Sequence, residues 1–402
     1  SQRTGGTVTK LYDTGAGERP TLPARNAQRL GYDLADLGAR RVLRASRVGQ
    51  TGCHWCQINC RHWHWVDVDY MDDTDDTNAG RDRYLDDFEP TYALFAMLDL
   101  APEDANFKAR LRLLEEVDHR VVVPIEQMGL DIIDAGVGLA ALFEGLARGV
   151  IPPKDVPPAL RSGPYFGNLA AAEAAITALR AGDDAPALRT LGDGPQALAE
   201  RYPALQARVF TCGPGTLGNP GHANALWTFL MPFSRFFSHY SGQIYKIPGA
   251  LTPEMSNSEI DDLFQRVITE MLRREQFICL GNALSQCGFT FVIFSEGGEG
   301  VALDESNLLV RTLAAYGIEL HRRDLEWFGA AFWAQSLALK MAHGWRPPTE
   351  EEFPARVFEA LSQALDFTPE ELVALMERLI AEWRRQAGEM LMKFGYSREG
   401  FE

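Results

Sequence analysis

Cysteine is scarce in this chain, with six among 402 residues. That is too few for a disulfide scaffold, and their clustering suits a reducing compartment. Positive charge is also in deficit. Lys and Arg number 39 against 55 Asp and Glu, for a formal net charge of −16. This argues against nucleic acid or an anionic membrane surface as the main partner. No apolar run is long enough to span a bilayer. The longest, from Leu130 to Ile151, is interrupted by Asp131, Asp134, Glu144 and Arg148. No signal-peptide pattern is visible, so a cytoplasmic protein is expected. The chain opens on Ser1 rather than Met, as in a chain processed, tagged or cut from something longer. Internal repeats and low-complexity tracts are absent as well. Gly297-Gly298-Glu299-Gly300 lacks the Lys-Ser/Thr of a phosphate-binding loop and reads as a turn. The acidic run from Asp67 to Asp87 does not register with EF-hand spacing and reads as a solvated loop.

The remaining composition is that of a soluble globular protein, 46% hydrophobic and 23% charged. A chain of this length exceeds the size at which one core keeps growing, so at least two domains are expected. Thr211 to Gly221 is dense in glycine and proline and marks a junction. The expected division is 1–214 and 215–402.

Periodicity predicts a mostly α fold built of two packed helical domains. Helices are expected over Asp104 to Val117, Pro124 to Val150, Asn168 to Arg180 and Pro195 to Tyr202. In the second half they are expected over Ser258 to Glu275, Asp324 to His343 and Thr368 to Met392. The stretch Pro124 to Val150 is apolar and rich in Gly and Ala, as in a buried helix, and stops at Ile151-Pro152-Pro153. Strand-like runs are few, mainly Phe289 to Phe294.

The chain is organised around Gly52-Cys53-His54-Trp55-Cys56-Gln57-Ile58-Asn59-Cys60, where three cysteines follow the spacing C-x2-C-x3-C. Such spacing lets three thiolates face one metal centre, and thiolate is the soft ligand preferred by iron–sulfur clusters and zinc. A fourth ligand must come from elsewhere. Cys287, Cys279 and Cys212 are the thiol candidates, and zinc has His54, His62 and His64 in the same segment. His62-Trp63-His64-Trp65 alternates polar and aromatic residues, the pattern of a strand edge covering a cluster. Three buried thiols that bind nothing are the plainer alternative.

Several segments in order resemble the tungsten-dependent aldehyde:ferredoxin oxidoreductase family. The triplet matches that family's three local cluster cysteines. Glu126-Gln127-Met128-Gly129-Leu130-Asp131 resembles its D-x-x-G-L-D pterin motif, and Asn282-Ala283-Leu284-Ser285-Gln286-Cys287 its D-x-x-G-L-C motif. Leu22-Pro23-Ala24-Arg25-Asn26, Phe166-Gly167-Asn168, and Gly329 placed fifteen residues before Gly344 are further echoes. The resemblance implies a [4Fe–4S] cluster on Cys53, Cys56, Cys60 and Cys287. It also implies a tungsten bis-pterin cofactor, with Glu126, Asp131 and Asn282 at the pterin-binding positions. Glu89, in Asp87-Phe88-Glu89-Pro90-Thr91-Tyr92, matches the family's carboxylate base, and His239 its histidine near the metal. Read without the resemblance, Glu89 is a carboxylate at a helix N-terminus beside Pro90, and His239 a core histidine.

The departures are specific. Asp is replaced by Glu126 and by Asn282, and Gly-Leu by Ser285-Gln286 before the cysteine. Ala330-Ala331 stands where the family has a charged pair. Nothing corresponds to the family's N-terminal β-rich pterin-base domain, which a separate domain or chain would have to supply. The resemblance therefore implies an oxidoreductase component. It would oxidise aldehydes or related carbonyl compounds and pass electrons to ferredoxin or an electron-transfer subunit. The rival is a non-catalytic iron–sulfur or structural subunit that has lost pterin binding, and a third reading is a zinc-stapled helical protein.

Overall fold

The computed structural model describes residues 21–25, 29–33, 47–51, 61–64, 83–85, 98–100, 109, 112–113, 116–206, 211–212, 215–216, 230, 251–283, 308–347, 349 and 353–397. The chain divides into two compact units, 1–224 with 353–369, and 225–352 with 370–402. Both are dominated by helices, as the periodicity predicts.

The first unit begins with short antiparallel strands. β1 (Thr21–Ala24) pairs with β2 (Arg29–Asp33), and β3 (Arg47–Thr51), β4 (Arg61–His64) and β5 (Arg83–Leu85) form a second sheet in the order β3-β4-β5. The alternating His62-Trp63-His64 segment is thus a strand as expected, but it is the central strand and not an edge. Thr51 pairs with Arg61 across the β3–β4 ladder. The cysteine triplet falls in sequence between these two strands, at residues outside the described ones. A two-stranded ribbon, β6 (Thr211–Cys212) with β7 (Gly215–Thr216), closes the described strands.

The helical part of this unit comprises α1 (Val123–Gln127), α2 (Ile132–Ala147), α3 (Leu169–Arg180), α4 (Pro186–Gly192), α5 (Pro195–Arg201) and, from far along the chain, α9 (Ala355–Ala364). α2 is the hub. Leu139, Ala140, Leu142 and Phe143 are all fully buried, as the apolar composition of the stretch requires. Gly138 and Gly145, two turns apart on one face, leave room for neighbours: a Cβ on Gly145 would sit 2.6 Å from Ile151 Cδ1, and one on Gly138 would collide with Leu191 Cδ1. Asn168 caps α3 by accepting from Ala171 N at 3.3 Å, so the helix starts where the sequence places it. The stretch from Pro124 to Val150 is broken, however, into α1 and α2. The hinge falls at Gly129, whose φ of +74° no continuous helix accommodates.

The second unit is built on α6 (Asn257–Ala283), with α7 (Leu308–Ala315), α8 (Arg322–Ala342) and α10 (Pro369–Lys393). α6 carries an apolar stripe, Ile260, Leu263, Phe264, Val267, Ile268, Met271 and Leu272, all buried. α8 approaches it so closely at Gly329 that a Cβ there would lie 2.7 Å from Gln276 O. α10 joins α6 through hydrogen bonds spaced in parallel: Arg378 Nη1 donates to Asn257 Oδ1 at 3.0 Å, and Gln386 Nε2 to Gln265 O at 3.0 Å. Among the described residues no helix is long and apolar enough to cross a membrane.

Candidate functional site

The first pterin-like motif is a helix–turn–helix corner in the first unit. α1 follows a wide turn at Asp118–Val122 and has Pro124 in its first turn, where a missing N–H costs nothing. Its end is wound tightly: Gly129 N donates to Glu126 O at 2.9 Å and Leu130 N to Ile125 O at 3.3 Å. The second bond is the six-residue closure of a helix that stops at a left-handed glycine. Ile125 anchors the turn from below, with no solvent exposure.

Asp131 opens the next helix. With φ −69° and ψ 127° it takes extended geometry, and its Oδ1 accepts from Asp134 N at 2.9 Å, while Ala135 N donates to Asp131 O at 2.9 Å. The carboxylate thus satisfies one of α2's open N–H groups and sits at the positive end of its dipole. Glu126 lies in α1, exposed, on the other side of the same corner. The motif's three chemical positions therefore have distinct jobs. Gly129 makes the turn, Asp131 starts a buried helix, and Glu126 presents a carboxylate to solvent.

Further along α2, Glu144 is fully buried. Its Oε1 accepts from Arg356 Nη2 at 2.9 Å and from Arg148 Nε at 2.8 Å. Arg356, on α9, is only 4% exposed. Reasoning from sequence takes Glu144 merely as an interruption of an apolar run. A charge in the middle of such a run is the available signal that a distant partner exists.

In the second unit, Asn282 is exposed near the C-terminal end of α6. Its neutral amide both donates and accepts, where an aspartate would only accept. Cys279, three residues earlier, is buried on the same helix at 4% exposure. Deeper in this unit, Glu275 is 2% exposed and accepts from Trp333 Nε1 at 2.7 Å, a buried pair also missed from sequence.

Glu89, His239, Cys53, Cys56, Cys60 and Cys287 lie outside the described residues, as do His54 and the Phe289 to Phe294 run. Among the described residues no three His, Cys, Asp or Glu side chains converge as a metal site. The donor chemistry at the corner does fit a pterin. Carboxylates such as those of Glu126 and Asp131 would accept from ring N–H and amino groups, and the helix cap engages Asp131 through Oδ1.

Comparison with known proteins bears on this arrangement. Residues 2–388 match the family described as aldehyde ferredoxin oxidoreductase, domains 2 and 3. No curated protein matches the chain. Among solved structures it is similar to the active-site complex BamBC of benzoyl coenzyme A reductase in complex with 1,5-dienoyl-CoA. The identity is 14% and the TM-score 0.57, over 95% of this chain and 58% of that one. At that identity the likeness is one of fold, and this chain spans less than two thirds of its neighbour.

Proposed function

The chain belongs to the aldehyde ferredoxin oxidoreductase family, and on that premise we propose that it is the helical part of a metallopterin oxidoreductase. Its substrate class is an aldehyde or a related carbonyl or acyl compound. The observation that carries the reading is the family match along residues 2–388, which takes in the cysteine triplet and both pterin-like motifs in order.

In this reading Cys53, Cys56, Cys60 and Cys287 hold a [4Fe–4S] cluster, and Glu126, Asp131 and Asn282 bind the pterins of a tungsten or molybdenum cofactor. When bound, these groups supply a two-electron oxidation and a one-electron exit to ferredoxin or an electron-transfer subunit. The residues of the chain do the rest. Glu89 takes the proton from the water or aldehyde hydrate that provides the incoming oxygen, and His239 donates a hydrogen bond to the substrate oxygen. Asp131 does double duty, starting α2 through Oδ1 and accepting from the cofactor. A β-rich base domain, in the same polypeptide or another, completes the cofactor pocket. The setting is cytoplasmic.

The second reading, a cluster-bearing subunit that binds no pterin, is favoured by one observation. Asn282 replaces a charged acceptor with a neutral amide at an exposed helix end. Elemental analysis of anaerobically purified protein separates the two. The oxidoreductase reading expects about four irons and about one tungsten or molybdenum per chain. Iron alone favours the cluster-only subunit. Zinc alone sinks both, and retention of that zinc in Cys287→Ser then places it on the local cysteines and histidines.

A further inference from the structure

The second unit contains a cavity of about 440 Å3, within the range of small-molecule sites. Three helices line it: the C-terminal part of α6, the N-terminal half of α8 and the last turns of α10. Gly329 and Ala330, with little or no side chain, form part of its wall where α8 packs tightly on the α6 backbone. Phe277, Leu280 and Leu325 are buried beneath, at 9%, 4% and 1% exposure. Trp327 lines the cavity while 56% exposed, in edge contact with Phe328 at 5.3 Å. The indole thus offers an accessible apolar face beside an apolar floor.

The charges around the cavity are of the opposite sign to the protein as a whole. Arg273, Arg323 and Lys393 line it against one carboxylate, Glu326, in a chain of net charge −16. Arg273 is held by Glu270 through Nε and Nη2, each at 2.8 Å, and the same carboxylate also accepts from Arg274 at 2.6 Å. Glu270 therefore contacts both guanidinium groups, and the charge of Glu326 also favours the cationic form of Arg273. The Arg323 side chain is 85% exposed, with Asp324 4.0 Å away. Lys393 lies 5.9 Å from the Phe394 ring centroid, a cation held at an aromatic face.

We propose that this cavity binds a small amphiphilic anion: a flat ring or short branched chain bearing one carboxylate, sulfonate or phosphate. The apolar body packs on Phe277, Leu280 and Trp327, and the anionic group faces Arg323 and Lys393. The inference stands on the second unit alone and is independent of whether a metallopterin is bound.

The test uses the full chain and two fluorescent probes of similar shape, the anionic anilinonaphthalene sulfonate and the neutral phenylnaphthylamine. Saturable binding of the anionic probe is expected, weakened about tenfold by combined Arg323→Glu and Lys393→Glu and weakened also by salt. The neutral probe should bind the charge-reversed protein unchanged, while Met390→Trp, which fills the cavity, should displace both. Arg323→Gln with Lys393→Gln is a milder pair, and thermal unfolding checks that each variant is folded. Lack of saturable binding overturns the proposal. So does anionic-probe affinity indifferent to both charge variants, or a neutral probe that loses as much as the anionic one.

Discussion

Trp333 donates its indole N–H to Glu275 at 2.7 Å inside the second unit, with the tryptophan fully buried and the glutamate 2% exposed. A carboxylate in such a place must be compensated by hydrogen bonds. Trp333→Phe keeps most of the ring and deletes one donor. The expected loss is about 1–3 kcal/mol, measured by denaturant unfolding. A variant as stable as the parent would mean that this bond contributes nothing net.

Glu144 and Arg356 form the corresponding pair in the first unit, 212 positions apart in sequence. Arg356→Met takes the buried guanidinium away from a fully buried carboxylate, whose contact with Arg148 involves an arginine that is 44% exposed. A cost of about 3 kcal/mol is expected, while Glu144→Leu combined with Arg356→Met should recover much of it. Equal stabilities for Arg356→Met and the double variant would show that removing the carboxylate recovers nothing, against this expectation.

Asp131 allows its two roles to be separated. Asp131→Ala removes the cap and should cost about 1 kcal/mol. Asp131→Asn retains a capping oxygen and should hold stability within a few tenths of a kcal/mol. If the carboxylate charge also serves the pterin, both variants lose tungsten or molybdenum on purification. Full metal content in Asp131→Asn would leave the residue a cap and nothing more.

The acid limb of the stability curve should bear the mark of Glu270. Burial pushes its pKa up, but hydrogen bonds from Arg273 and Arg274 outweigh that and hold it below the ordinary carboxylate range. A depressed folded pKa contributes stability above the unfolded value, about 4.3, and that contribution is lost as pH falls through the lower folded value. Unfolding free energies followed from neutral pH to below pH 4.3 should therefore fall less steeply in Glu270→Gln than in the parent. Identical slopes would remove this carboxylate from the acid response.

Much of the helical fold is legible from local chemistry, because caps and apolar stripes act over a turn or two. Asn168 starts α3, and the stripe of α6 is readable from its period of 3.6. The break at Gly129 is harder, since an apolar stretch reads the same whether one glycine in it is right- or left-handed. The strands are two to five residues long and too short for a period of two to register. At the candidate site, the motif positions are visible in sequence, but the division of labour between Gly129, Asp131 and Glu126 is not. Nothing near Arg356 announces that it answers Glu144, because a pair so distant leaves no mark on either neighbourhood.

Residues 353–369 belong to the first unit although the second unit's residues 225–352 precede them in the chain. During synthesis the ribosome therefore releases the whole of 225–352 before the segment that completes its predecessor. Until then Glu144 has Arg148 one turn away but lacks Arg356, its buried partner. Assembly of the first unit cannot be strictly vectorial. A nascent chain stalled before residue 353 would expose the surface that α9 later covers.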